Sequence, residues 1–262
     1  MALTDNLVAY YKLDEASGNA ADSVGSYTLT NSNVTYAAGK INNGAEFGAT
    51  NDRLVPSGTP FSFGSGTAFS YSTWVKTSSQ AANNFILSNE ESSPYQGWFM
   101  FITTAGLVYC GFIKNYASSR LDFTGNTAVD NDTWTHIAFT YDGTANPTNG
   151  AGMMVYVNGV AQTKTVATNN LSTNSWTSSD TMYFGARRYD TNQKLSGMLD
   201  EMAFWSRALT ADEVTSLYNG GSGIQYPFST TSIKTIDGLA RASVKTVDNL
   251  AVASMKTYNG LA

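Results

Sequence analysis

The chain has 262 residues, a formal net charge of −5, and a composition that is 42% hydrophobic, 13% aromatic and 13% charged. That length holds one large all-β domain plus an appendage, and abundant Gly, Ser, Thr, Asn and aromatic residues suit short strands and tight turns better than helices. The acidic balance, with Arg187-Arg188 the longest basic pair, argues against a nucleic-acid surface. A lone cysteine, Cys110, excludes an intrachain disulfide, and a lone histidine beside it excludes the familiar zinc sites.

From residue 7 to about residue 221 the sequence reads as strands separated by turn clusters. Residues 8–13 alternate and then meet Asp14-Glu15-Ala16-Ser17-Gly18-Asn19, and residues 69–76 alternate with aromatics on one face. Residues 97–103 and 107–113 predict a hairpin around Thr104-Ala105-Gly106. Residues 134–141 end at Asp142-Gly143 and residues 153–157 at Asn158-Gly159, both strong turn signals. Residues 181–185 and 197–204 complete the strands, with Tyr71, Trp134, Ile137, Phe139, Val155, Val157 and Phe184 as the expected core. One short helix is predicted over 210–218, where Thr210 is the N-cap, Glu213 closes a capping box and Asn219-Gly220-Gly221 stops the turn.

After Phe228 the chain changes character. Ser232-Ile233-Lys234-Thr235, Ser243-Val244-Lys245-Thr246 and Ser254-Met255-Lys256-Thr257 recur at intervals of 11 residues, each followed by Asp-Gly, Asp-Asn or Asn-Gly. An 11-residue period also suits a right-handed helical supercoil, but the two-residue turn signals favour a β-meander with Ile236 facing Leu239. Such a small sheet with a bare apolar face is marginal alone. Ile233, Ile236, Leu239, Val244, Val247, Leu250, Met255, Tyr258 and Leu261 are therefore expected to serve assembly. The expected division is a domain over 1–222 and an assembly tail over 223–262.

Several stretches carry a family resemblance. They are the opening from Leu7 through Tyr11-Lys12-Leu13-Asp14-Glu15-Ala16-Ser17-Gly18 to Ala21-Asp22-Ser23-Val24-Gly25, Gly44-Ala45-Glu46-Phe47-Gly48, and residues 69–76. Trp134-Thr135-His136-Ile137-Ala138 with Tyr141-Asp142-Gly143, Val155-Tyr156-Val157-Asn158-Gly159, and residues 197–210 follow. In this order they resemble the laminin-G-like branch of the concanavalin A-like lectin/glucanase fold. The resemblance implies an all-β, two-sheet antiparallel jelly-roll sandwich with one short helix, and a structural calcium ion held by Asp22 and Asp200. It gives His136 a core or hydrogen-bonded role.

Because sugars stack on aromatics and bond to polar side chains, Tyr95, Trp98, Tyr116, Trp176, Arg187 and Tyr189 are the candidate ligand-binding residues, with turn packing as the alternative for each. The fold also hosts glucanases, which need paired carboxylates. Here Glu90-Glu91 are adjacent and Asp212-Glu213 fall in the predicted helix, so no catalytic residue is expected.

The tail repeats resemble the ends of virion proteins from tailed bacteriophages. The N-terminus shows no basic stretch followed by an apolar run, and no run of about 18 apolar residues suggests a membrane span. The combined expectation is a non-enzymatic virion structural protein of fibre or capsid-decoration type, folded in the host cytoplasm and released by lysis. It would display a lectin-like domain to host-surface carbohydrate and attach to other virion proteins, as a homo-oligomer for which a trimer is natural in a fibre. A purely structural virion protein without ligand, a bacterial surface adhesin and a glycoside hydrolase are the alternatives.

Overall fold

Alternating apolar and polar residues, interrupted by Asn, Asp and Gly turns, put about half of the chain up to Trp205 into strands. The computed structural model describes residues 1–64, 66–78, 82–93, 95–129, 131–144, 148–172 and 181–228, with short backbone pairings at 235–236, 239–240, 246–247 and 250–251. The first strands are β1 (Leu7–Tyr11), β2 (Leu29–Ser32), β3 (Thr35–Ala38), β4 (Asn43–Phe47), β5 (Arg53–Pro56) and β6 (Phe69–Thr77). Next come β7 (Asn84–Ser88), β8 (Gly97–Ile102), β9 (Leu107–Asn115), β10 (Ser119–Ala128), β11 (Thr135–Tyr141) and β12 (Met153–Val157). The last are β13 (Val160–Ala161), β14 (Thr165–Asn169), β15 (Tyr183–Phe184), β16 (Ala186–Arg187), β17 (Asp190–Lys194) and β18 (Gly197–Trp205), followed by helix α1 (Ala211–Tyr218).

The strands form two eight-stranded sheets. One runs β13-β12-β11-β6-β18-β4-β3, with β1 also paired to β18, and the other runs β14-β10-β9-β8-β7-β15-β5-β2. Their pairings are antiparallel. The period of two along each strand sends one side of each sheet into a shared core. Phe69 of the first sheet meets Trp98 of the second at 5.1 Å between ring centroids, and Phe139 meets Phe112 at 5.5 Å. Each large side chain fully buried there stabilises the fold by about 1.5–3 kcal/mol.

Tyr71, Ile137, Phe139, Val155, Val157 and Phe184 lie in this core as expected. Trp134 does not. It precedes β11 by one residue, outside the alternation that buries Ile137 and Phe139, and is only half-buried. Cys110 is buried in the core from β9.

Helix α1 has the predicted capping box: the Thr210 hydroxyl accepts the Glu213 amide, and the Glu213 carboxylate accepts the Thr210 amide at 2.8 Å. Asn219 ends the helix in the left-handed region at φ 48°. The helix covers the outer face of the first sheet, with Tyr218 stacked on Trp74 at 5.9 Å. Arg207 grips Glu213 through two bonds of 2.7 and 2.8 Å and also donates to the carbonyls of Ala2 and Asp5. Both chain ends of the sandwich are thereby tied to one guanidinium.

The chain divides into two compact units, Met1–Pro227 and Phe228–Ala262. In the second, β19 (Thr235–Ile236) pairs with β20 (Leu239–Ala240), and β21 (Thr246–Val247) with β22 (Leu250–Ala251). Ile233, Val244, Met255, Tyr258 and Leu261 lie outside the described residues. No helix among the described residues is long and apolar enough to cross a membrane.

Candidate functional site

The run Gly97-Trp98-Phe99-Met100-Phe101-Ile102 is apolar at nearly every position, which in a strand requires cover on both faces. Trp98, Met100 and Ile102 point into the sandwich core, while Phe99 and Phe101 join Phe85 and Ile113 in a separate cluster on the opposite face of the second sheet. Cross-strand register assembles that cluster: Phe85 sits opposite Phe101, and Phe101 opposite Tyr109. The Phe101 and Tyr109 rings stack at 4.6 Å with planes 12° apart. Phe99 lies opposite Gly111, and a Cβ at Gly111 would meet its ring at 2.2 Å. The absent side chain is what lets Phe99 lie flat across the sheet.

Two ion pairs flank these rings. Glu90 is fully buried, and Arg187 holds it through two bonds of 3.0 Å each, from Nε to Oε2 and from Nη2 to Oε1. Ser88 Oγ donates to the same carboxylate at 3.0 Å, and Arg188 donates to the Glu90 carbonyl at 3.1 Å. On β10, Arg120 Nε contacts Asp122 Oδ2 at 3.0 Å. Burial pushes both carboxyl groups above the usual range, and the neighbouring guanidinium groups oppose that shift.

Tyr116 lines the groove, and Tyr95 and Tyr189 pack beside it. Tyr95 meets Tyr189 at 4.9 Å and Tyr116 at 5.9 Å, the latter edge-on. Arg187 lies 4.5 Å over Tyr189, and Arg120 4.1 Å over Tyr116. Tyr116 is 49% exposed and Tyr189 36%, so their rings remain available to a ligand. The resulting groove, about 450 Å³ including space open to solvent, carries Asn83 and Gln193 among its polar lining.

Four of the sequence candidates, Tyr95, Tyr116, Arg187 and Tyr189, thus converge here from three separate segments. Trp98 is instead fully buried in the core beside Phe69 and Phe139, because its place on β8 faces inward. Trp176 lies outside the described residues. Sequence reasoning missed Phe85, Phe99, Phe101, Tyr109, Glu90, Arg120 and Asp122. The i, i+2 spacing of Phe99 with Phe101 and of Arg120 with Asp122 was the available signal.

Of the expected calcium ligands, Asp22 lies in the loop after β1 and Asp200 within β18. Asp22 accepts the amides of Tyr10, Val24 and Tyr27 at 3.1, 3.0 and 3.2 Å. Asp200 accepts those of Lys40, Ile41 and Glu201 at 2.7, 2.9 and 2.8 Å. Both oxygens of each carboxylate accept N–H donors, so each aspartate braces its own stretch of backbone. Among the described residues there is no cluster of three or more His, Cys, Asp or Glu able to hold a metal.

Behind the first sheet, His136 is buried with Nε2 2.8 Å from Ser72 Oγ. Burial depresses its pKa to about 3. Trp74 and Tyr218 pack over the imidazole at 5.3 and 6.2 Å, which suits a structural imidazole.

Residues 47–215 match the family described as Laminin_G_3, Concanavalin A-like lectin/glucanases superfamily. No curated protein sequence matches the chain. Among solved structures, the binding domain of Paraclostridial Mosquitocidal Protein 1 superposes with a TM-score of 0.67 at 16% identity, over 84% of this chain and 53% of its own. The botulinum neurotoxin serotype G binding domain gives 0.61 at 19% identity, over 81% of this chain and 50% of its own. Domain 4 of AbnA, a GH43 extracellular arabinanase from Geobacillus stearothermophilus, in complex with arabinotriose, gives 0.53 at 20% identity, over 80% of this chain and 97% of that chain. The chain spans about half the length of the toxin binding domains it matches, and these likenesses establish a shared fold.

Proposed function

The chain belongs to the Laminin_G_3 family of the concanavalin A-like lectin/glucanases superfamily, and from that membership we propose that it is a carbohydrate-binding module whose site is the tyrosine-rimmed groove of the second sheet. The observation that carries this reading is the convergence of Tyr95, Tyr116 and Tyr189 with Arg120 and Arg187 over a floor of stacked rings. Exposed aromatic faces suit the apolar faces of sugar rings, and the Asn83 amide supplies a donor and an acceptor for hydroxyls. A domain of similar fold was solved with arabinotriose, which gives the reading a precedent in another protein.

Binding without turnover is the activity this geometry favours. The two carboxylates beside the groove, Glu90 and Asp122, are buried and each engaged by an arginine, which leaves neither open to a scissile bond. Screening the whole chain on a glycan array, followed by titration of each hit, tests the reading. Tyr189→Ala and Tyr116→Ala should each weaken binding by about tenfold, since a lost ring stack is worth up to about 1.5 kcal/mol. Hits that ignore both substitutions would place recognition elsewhere.

The wider proposal is that the module is a virion component, of fibre or capsid-decoration type, with the 11-residue repeats securing it to the particle or to copies of itself. Weak single-site affinity would then be raised by avidity, by about 10²–10⁴-fold. The repeat pattern supports this attachment role. Deleting residues 229–262 should leave the monomer's glycan affinity intact and abolish incorporation into particles. Incorporation by the shortened chain would defeat it.

A further inference from the structure

We infer that the groove selects neutral glycans, recognised by ring faces and hydroxyls, and rejects ligands carrying carboxylate, sulfate or phosphate. This rests on the carbohydrate reading above and specifies its substrate class. The arginine charge beside the groove is paired within the protein. Arg187 turns Nε and Nη2 to Glu90 at 3.0 Å each, and Nη1 lies 3.4 Å from Gln193 Oε1. Its donor edge is occupied, and its flat face lies against Tyr189 at 4.5 Å and Phe85 at 5.6 Å. Arg120 is paired internally through a single contact: its Nε holds Asp122 at 3.0 Å, while Nη2 reaches Thr168 Oγ1 at 3.4 Å and its face covers Tyr116.

Recognition of an acidic sugar depends on a planar guanidinium offering two parallel N–H groups to the ligand. For Arg187 that fork is closed on the carboxylate of Glu90, and Arg120 is held by Asp122 through Nε. To bind an anion, Arg187 would have to abandon Glu90, which is fully buried and would be left as an uncompensated charge. Beside these internally paired charges the groove offers the exposed ring of Tyr116 and the amide of Asn83, with the exposed ring of Tyr189 against Arg187 at its edge. A neutral oligosaccharide is complementary to that surface, and its affinity should be insensitive to salt.

The test is calorimetric titration of the full chain with arabinotriose, maltotetraose, cellotetraose and mannotetraose against sialyllactose, oligogalacturonate and a heparin tetrasaccharide. Titrations are run at about 0.05 M and about 0.5 M NaCl, where screening of exposed charges differs most. The expected result is binding of at least one neutral probe, changed less than twofold by salt and weakened about tenfold in Tyr189→Ala, with no binding of acidic probes. Asp122→Asn, which releases Arg120, should admit an acidic probe that the unsubstituted protein rejects. Acidic probes bound in preference, with affinity falling steeply in salt, would overturn the selectivity while leaving carbohydrate binding in place. A groove that takes none of the probes, neutral or acidic, would overturn both.

Discussion

The ring of Phe99 rests on Gly111, the residue opposite it on β9, and this contact sets the floor of the groove. Replacing Gly111 by alanine places a methyl group inside the ring's volume, and overpacking of that kind costs about 1–3 kcal/mol. Gly111→Ala should therefore lower the urea midpoint and alter the near-ultraviolet circular dichroism of the aromatic cluster; a variant with an unchanged midpoint would show that Phe99 moves freely. Tyr95, Tyr116, Arg187 and Tyr189 were legible in the sequence because aromatic and cationic residues in turn-rich segments stand out by type. Phe99 was not, because in an apolar strand the inward Trp98 and the outward Phe99 look alike until the register is known. Glu90 was hidden for another reason: its partner Arg187 lies 97 residues away, beyond any local pattern.

At the level of elements, helix α1 was readable to its caps because capping is local chemistry. Thr210, Glu213 and Asn219 lie within one short segment, and each satisfies an end of the helix directly. Thr210→Ala should lower stability by about 1 kcal/mol, as measured by denaturant titration. An unchanged midpoint would mean that packing of Tyr218 on Trp74 alone fixes the helix. The strands were legible to different degrees. Residues 153–157 emerged with the predicted bounds, since Asn158-Gly159 punctuates them, but β10, although ten residues long, had no comparable signal. Its Arg120 and Asp122 alternate with buried Leu121 and Phe123, and two paired charges on an outward face resemble a solvated loop.

For the molecule as a whole, buried ionisable groups set how stability depends on pH. Burial holds Asp200 and Glu201 at about 8, against about 4 for carboxyl groups in the unfolded chain. Between those limits the folded state binds more protons than the unfolded one, so these groups make stability fall as pH rises. His136, held at about 3 by burial against about 6.5 unfolded, acts in the opposite sense below about pH 6.5. Above that point the His136 contribution is exhausted. The melting temperature should decline from about pH 6.5 to about pH 8, and Glu201→Gln should flatten the decline; an equally steep profile in the variant would remove Glu201 from the account. The sandwich itself was foreseeable from turn spacing and alternation, whereas the meeting of Asp200 with the amides of Lys40 and Ile41 depends on closure of the chain over 159 residues and more.

The position of Cys110 gives the protein an internal reporter. Its sulfur is buried on the inward side of β9, immediately before the glycine beneath Phe99, and burial also raises its pKa, keeping the thiol protonated and unreactive. An alkylating reagent can reach it only when the two layers part, so the rate of labelling in native buffer reads out the opening frequency of the sandwich. With no second cysteine in the chain, that signal is free of competing sites, and a sugar seated over the neighbouring rings should slow it in proportion to occupancy.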